Sequence, residues 1–264
     1  LPIGNHEDIT IRGLNCLKEK SYFLAEDTRV FKDLLKRLGI EYSQKKIDSF
    51  HNDSDFKIKK IIDELKTGNE IVLVSDAGSP VISDPAYPLI KEAVKNNIKI
   101  ETFPGVTSVI AALELSGLPT TPFFFWGFLG RDLKDKKNMK DKVDYSSGTH
   151  VFFESPQRVK ESIKYFTKEI LQCEIVAIKE ITKTFQSVYR ISSESDVEAI
   201  DERGEFVVLI YKNSSSAKSY NTDLSEMVKD YLEKKTSTKQ LAKILAEVSG
   251  IDTKEIYKKL INNE

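Results

Sequence analysis

Hydrophobic and polar positions along the first half of the chain follow two alternating rhythms. Short apolar runs of the kind that build buried strands are separated by stretches whose apolar residues recur every three or four positions, the spacing of one helix face. Ile11, Leu14 and Leu17 predict a helix over Thr10–Lys20, Tyr22–Ala25 reads as a strand, and Thr28–Leu38 as a helix stopped by Gly39. Lys57–Lys66 reads as helix, Glu70–Ser75 as a buried strand, and Ala86–Asn96 as helix. Lys99–Phe103 reads as a strand, and Thr107–Ser116 as a helix ended by Gly117-Leu118-Pro119. Such alternation predicts a mostly parallel, doubly wound sheet.

Near Gly130 the pattern changes. Arg131–Asp144 mixes six basic with four acidic residues around little apolar surface beyond Leu133, Met139 and Val143, and reads as a solvated helix or loop. Strands then crowd together at His150–Glu154, Glu174–Lys179, Ser187–Ile191 and Phe206–Lys212, with one strong helix, Arg158–Glu169, among them. Closely spaced strands predict antiparallel pairing. Asn213–Asn221 reads as a linker, followed by short helices over Leu224–Leu232, Thr238–Val248 and Thr253–Ile261. The expected organisation is an N-terminal α/β domain over residues 1–120, a second α+β domain over 121–213, and a C-terminal helical module over 222–264.

Composition narrows the function. The 264 residues carry 40 Lys and Arg against 41 Asp and Glu, a net charge of −1, which excludes a wholly basic nucleic-acid coat but leaves room for a local patch. Mean hydropathy is −0.34, and no apolar run approaches the ~18 residues of a membrane span. Cys16, Cys173, His6, His51 and His150 are too scattered for a disulfide framework or a zinc site. A cytoplasmic protein without metal is the expectation. No basic-then-apolar leader is present, and Leu1–Asn5 reads as a loop that a further strand should precede.

Five polar clusters sit where strands are expected to end. Asp76-Ala77-Gly78-Ser79-Pro80 follows the strand at 70–75, and ligands of open α/β sheets bind beyond the carboxyl ends of strands. Gly78 lets a ligand reach backbone amides. At Pro104-Gly105-Val106-Thr107-Ser108 a helix begins, where Thr107 or Ser108 can cap it and its free amides favour an anion. Glu26-Asp27-Thr28-Arg29 offers two carboxylates and a guanidinium, although Asp27 or Thr28 capping the helix, with Glu26 and Arg29 paired to neighbours, is a plausible alternative. Glu154-Ser155-Pro156-Gln157-Arg158 and Lys179-Glu180-Ile181-Thr182-Lys183 place Arg158 and Lys183 where they could pair with phosphates or form surface ion pairs. Neither a dinucleotide fingerprint nor a P-loop occurs anywhere.

In this order the pieces LPIGNHEDIT, AEDTR, VSDAGSPVISDP, PGVTSVIAALELSGLPT, FFFWGFL, FFESPQR, KEITK and RGEFVVLI resemble the class III, tetrapyrrole methylase-like S-adenosylmethionine methyltransferases. Among these they resemble the ribosomal small subunit methyltransferase I family, which methylates the ribose 2′-hydroxyl of a cytidine in the decoding centre of 16S ribosomal RNA. The resemblance implies two α/β domains with the cofactor cleft between them, a homodimer, and the small ribosomal subunit as partner. It places S-adenosylmethionine against Pro2, Asp76, Ala77, Gly78, Ser79, Ile82, Thr107, Ser108 and Phe153. A 2′-hydroxyl needs a base, and Glu26, Asp27, Glu154 and a neutral Lys183 are the candidates. Asn5, Arg29, Arg158 and Lys183 are the candidate RNA contacts. The chain departs from the family pattern at Gly130, Asp132, Gln157, Lys179 and Gln186-Ser187, which bears on target choice more than on methyl transfer. A same-fold enzyme acting on a tetrapyrrole or a modified protein, and a non-catalytic RNA-binding relative, are the alternatives.

In the tail, Leu241, Ile244, Leu245 and Val248 lie at helical spacing, Gly250 ends that helix, and Asp252 or Thr253 can cap the next. Eight Lys face eight acids between Thr222 and Glu264, so no basic field marks an RNA clamp. A helical module that helps dock the ribosomal particle is the expectation.

Overall fold

The computed structural model describes residues 1–50, 55–82, 86–213, 237–249 and 252–261. The chain divides into two compact units, Leu1–Ser216 and Ala217–Glu264. Expectations for Leu224–Leu232, the linker, Gly250 and the His51 loop lie outside the described residues, as do the side chains of Ile244 and Val248.

The first unit holds two sheets. In the smaller, β1 (Tyr22–Ala25) lies between β2 (Lys46–Ser49) and β3 (Val72–Val74), all parallel. Alternate residues of β1 face opposite sides. Phe23 and Ala25 pack with Val74 against Leu17 of α1 (Ile11–Glu19) and Phe31 and Leu35 of α2 (Thr28–Arg37). Leu24 packs against Ile58, Ile61 and Ile62 of α3 (Asp55–Lys66) and Leu89 and Ala93 of α4 (Tyr87–Lys95). Helices therefore cover both faces, as the alternation predicts.

The larger sheet has the order β4 (Phe123–Phe128), β5 (Gly148–Glu154), β8 (Phe206–Lys212), β6 (Cys173–Lys179), β7 (Ser187–Ile191). Only β4 and β5 are parallel; the other neighbours pair antiparallel. On one face Phe152, Ala177, Phe206 and Val208 pack with Met139 and Val143 of α6 (Leu133–Tyr145), Ile163 and Phe166 of α7 (Val159–Glu169) and Val197 of α8 (Glu194–Glu198). On the other, Val151, Val176, Ile178, Val207 and Leu209 pack with Val109, Ala112 and Leu113 of α5 (Ser108–Ser116).

Several elements differ from the sequence reading. Residues 99–103 form no ladder; Arg12 donates to the Thr102 carbonyl (3.3 Å) and lies over the Phe103 ring, so side chains of α1 hold this exposed stretch. Lys46–Ser49 is a strand although only Ile47 is apolar, because an edge strand needs one partner and little burial. The apolar run Phe123–Phe128 is a strand of the second sheet. Helix α5, placed by sequence in residues 1–120, covers that same second sheet. Within 131–144, α6 completes its thin apolar face with the buried stem of Lys136, whose ammonium reaches Glu161 at 2.7 Å.

In the second unit α9 (Thr238–Ser249) and α10 (Thr253–Ile261) pack on each other. The Ser237 hydroxyl accepts from Gln240 N (3.3 Å) while the Gln240 side chain accepts from Ser237 N (3.2 Å), a reciprocal cap. Asp252 caps α10 through Lys254 N at 2.8 Å. Among the described residues no helix is long and apolar enough to cross a membrane.

Candidate active site

Adjacent parallel strands end side by side, and β1 and β3 therefore present their loops together. Glu26 N donates to the Val74 carbonyl (3.2 Å), Asp76 N donates to Glu26 Oε2 (3.2 Å), and Asp27 N donates to Asp76 Oδ1 (2.9 Å). Each loop thus fixes the backbone of the other. Asp76, Ala77 and Ser79 remain exposed, and Ile82 is 54% exposed. Gly78 has φ +68°, and a Cβ there would meet only Ile3 Cγ2 at 3.5 Å. The left-handed backbone, rather than lack of space, is what calls for glycine.

Residues 1–5 connect this corner to the second sheet. Gly78 N donates to the Pro2 carbonyl (3.4 Å), and Asn5 N donates to Thr182 Oγ1 (3.0 Å). Between them Gly4 lies so close to the loop after β6 that a Cβ would stand 2.6 Å from Lys183 Cγ and Thr182 Oγ1. The Asn5 side chain itself accepts from Glu7 N at 3.1 Å and caps the short turn His6–Asp8.

The loop after β6 is held in an uncommon shape. Glu180 (φ 52°) and Thr182 (φ 65°) are both left-handed, rare for a β-branched residue. Thr182 N donates to Gln186 Oε1 (2.7 Å), and Glu205 N donates to Glu180 Oε1 (2.8 Å). The Lys183 ammonium donates to Glu205 (2.7 Å) and Glu180 (2.9 Å). Burial works to lower the Lys183 pKa, but the hydrogen bonds to Glu205 and Glu180 outweigh it and hold the value above the ordinary lysine range. The expectation of a neutral Lys183 acting as base, or of a free Lys183 gripping RNA, conflicts with this double pairing.

Asp27 takes the capping alternative. Its Oδ1 accepts from Arg29 N (2.8 Å) at the start of α2, and Arg29 Nη2 donates to Oδ2 (2.6 Å). The hydrogen bond from the Arg29 side chain, joined by that from its backbone, holds the Asp27 carboxyl far below the usual carboxylate range. So acidic a group is a poor proton acceptor. The Arg29 side chain is otherwise 89% exposed.

Glu154 and Arg158 are engaged with each other. The Glu154 side chain is wholly buried. Its Oε1 accepts from Arg158 Nη2 (2.6 Å) and Ser155 N (2.7 Å), and its Oε2 accepts from the Ser162 hydroxyl (2.6 Å). Arg158 also donates to the Leu129 carbonyl (3.3 Å). Both side chains are engaged within the protein and tie the end of β5 to the end of β4, which weighs against Glu154 as base and Arg158 as RNA contact. Beside them Phe153 is half-buried, edge-on to Phe125 and Phe128 at 5.0 and 5.1 Å.

Thr107 is the residue before α5, but its side chain makes no capping bond. The first-turn amides of α5 therefore have no side-chain acceptor from the cap residue, and an anionic group suits them. Among the described residues no cluster of His, Cys, Asp and Glu could hold a metal ion. Sequence reading missed Gly4 and Glu205 as parts of this site. A glycine within LPIGN was the available signal for the first, and the place of Glu205 within RGEFVVLI the signal for the second.

Residues 1–195 match the profile of the tetrapyrrole (corrin/porphyrin) methylases. A protein of Halalkalibacterium halodurans named ribosomal RNA small subunit methyltransferase I is 34% identical across 97% of this chain and 91% of its own length. One of the same name from Rickettsia prowazekii is 35% identical across 98% and 91%. Among solved structures, a diphthine synthase superposes with a TM-score of 0.61 at 14% identity, covering 81% of this chain and 88% of its own. A cobalt precorrin-4 methyltransferase does so at 0.58 and 19%, covering 79% and 90%. These two likenesses establish the fold. The match over three quarters of the chain and the near full-length relatives place this chain in the tetrapyrrole methylase family and, within it, among the ribosomal RNA small subunit methyltransferase I proteins.

Proposed function

We propose that the chain methylates the ribose 2′-hydroxyl of cytidine 1402 in 16S ribosomal RNA, with S-adenosylmethionine as donor. The observation that carries this reading is the near full-length identity with relatives named for small-subunit RNA methylation. The residues present suit the donor. Asp76, Ala77 and Ser79 are exposed and small or acidic, Gly78 is left-handed, and the start of α5 lacks a side-chain cap. Pro2, Ile82, Thr107, Ser108 and Phe153 complete its proposed contacts. When bound, the donor supplies a methyl group on a sulfonium whose leaving group is already activated.

The chain's own residues orient the ribose and take its proton, and orientation can supply much of the rate. Glu26 is the proposed proton acceptor. It is half-buried at the end of β1, accepts from Asp76 N, and lines a small cavity with Ser75 and Pro80. Asp27, Glu154 and Lys183 are each committed to internal cations or acids. The Arg29 guanidinium, exposed beyond its Asp27 partner, suits an RNA phosphate. Asn5 faces the same junction. A homodimer acting on the small subunit in the cytoplasm is part of this reading.

Tritiated S-adenosylmethionine and purified, unmodified small subunits test it. Label should enter the RNA and map to that cytidine, and Glu26→Gln should abolish transfer while leaving donor binding intact. No transfer, or transfer to another nucleotide, would overturn it.

A further inference from the structure

The loop that joins β6 to β7 carries one large side chain for which the methyl-transfer scheme has no use. Phe185 is 74% exposed and stands between exposed Thr184 and Gln186. Hydrogen bonds hold the backbone beneath it. Lys183 N donates to the Glu180 carbonyl (3.0 Å), Gln186 N donates to the Lys183 carbonyl (3.1 Å), and the Gln186 side chain accepts from Thr182 N. Two left-handed residues precede it, at Glu180 and Thr182. A ring presented on such a loop loses little freedom when a partner arrives.

Its location is at the proposed site. Strand register aligns Glu154, Phe206, Lys179 and Ser187 across one end of the strands of the larger sheet. Phe153 lies one residue in from that end. The loop touches Gly4 and Asn5, and the same segment reaches Gly78 through Pro2. An RNA strand delivering its ribose to this corner would lie beside the loop.

Charge and chemistry select the type of contact. The cation of the loop, Lys183, is neutralised by Glu180 and Glu205, so phosphate pairing is not what this loop offers. A subunit interface is built around a contiguous apolar core, whereas the chain neighbours of Phe185 are polar. A nucleobase needs a single ring face, and unstacked bases of single-stranded RNA are held by stacking on aromatic side chains.

We infer that Phe185 is a base-stacking residue for a single-stranded nucleotide next to the target ribose. The inference rests on the ribose-methylation reading above. Binding of purified, unmodified small subunits is measured across a salt series for the wild-type chain and for Phe185→Ala, Phe185→Leu and Phe185→Trp. Ala and Leu should weaken binding about tenfold at every salt concentration, leaving the slope of log affinity against log salt unchanged because no counterion is involved. KM for subunits should rise, kcat at saturation and donor affinity should hold, and Trp should restore binding. Unchanged binding by Ala, or full rescue by Leu, would overturn stacking. So would a parallel loss of binding and of oligomeric state in sedimentation, which would make Phe185 an interface residue. If the wild-type chain methylates subunits and Ala does so with the same KM, only this inference falls. If the wild-type chain neither binds nor methylates them, the functional reading falls and takes this one with it.

Discussion

Replacing Glu154 separates a structural acid from a catalytic one. Its wholly buried carboxylate accepts three hydrogen bonds, from Arg158, Ser155 and Ser162, at 2.6 to 2.7 Å. Leucine in its place strands the Arg158 guanidinium, whose side chain is only 23% exposed, with the Leu129 carbonyl as its remaining acceptor. Breaking a buried pair from one side costs about 3–5 kcal/mol, and the partial exposure of Arg158 favours the lower end, about 3 kcal/mol. For a unit of this size each kcal/mol moves Tm by about 2–4 °C, so Glu154→Leu should melt roughly 6–12 °C below the wild type. Glu154→Gln keeps one oxygen for Arg158 and Ser155 N and turns an amide toward the Ser162 hydroxyl, which can rotate to accept. Its loss should be about 1–2 kcal/mol. Calorimetric melting is paired with initial rates of methyl transfer at 25 °C, where the folded Gln variant should keep most of its kcat. A Gln variant with wild-type Tm and a kcat lowered a hundredfold or more would refute the reasoning and make Glu154 the proton acceptor.

Three further outcomes are expected. Gly78→Val forces a β-branched residue to φ +68°, which costs about 1–2 kcal/mol, so the chain should fold yet lose donor binding in titration calorimetry; unchanged affinity would move the cofactor elsewhere. His150 is fully buried, receives the Trp126 Nε1 proton on Nδ1 (3.1 Å) and faces the Ser146 carbonyl with Nε2 (2.8 Å), and burial pushes its imidazole below the ordinary 6.5. The unfolded chain therefore binds the extra proton first: this contribution to stability is complete above pH 6.5 and is lost as pH falls through the folded-state value. Tm measured from pH 7.5 to 5.5 should fall less steeply for His150→Gln than for the wild type, and equal slopes would remove His150 from the account. A chain ended after Ser216 should melt cooperatively and bind donor but methylate small subunits poorly; full activity, or failure to fold, would count against a docking role for the helical module.

Much of the fold is legible residue by residue. Tyr22–Ala25, Ser187–Ile191 and Phe206–Lys212 are strands with the bounds their apolar runs predict, and Thr253–Ile261 is a helix with its predicted bounds. Local forces decide such elements: side-chain period, glycine stops and capping residues act within a few positions of the chain. Where burial is slight the same forces mislead. Lys46–Ser49 pairs through backbone hydrogen bonds that no apolar pattern announces, and Lys99–Phe103 has the pattern without a ladder.

The candidate site divides along the same line. Its loops, DAGS, PGVTS, AEDTR and KEITK, can be picked out from composition, because glycine, small residues and paired charges at strand ends are local features. Which charge does what cannot be. Glu26, Asp27, Glu154 and a neutral Lys183 are all candidate bases in the sequence, yet one is half-buried beside a small cavity, one caps a helix under an arginine, one is buried under Arg158 and Ser162, and one is locked between two glutamates. Glu205 lies 22 positions from Lys183 and Thr182 lies 177 from Asn5. Electrostatic partners are set by distance in space, and only the pairing of β6 with β8 and the approach of the N-terminal segment to the loop after β6 bring those distances down to a hydrogen bond.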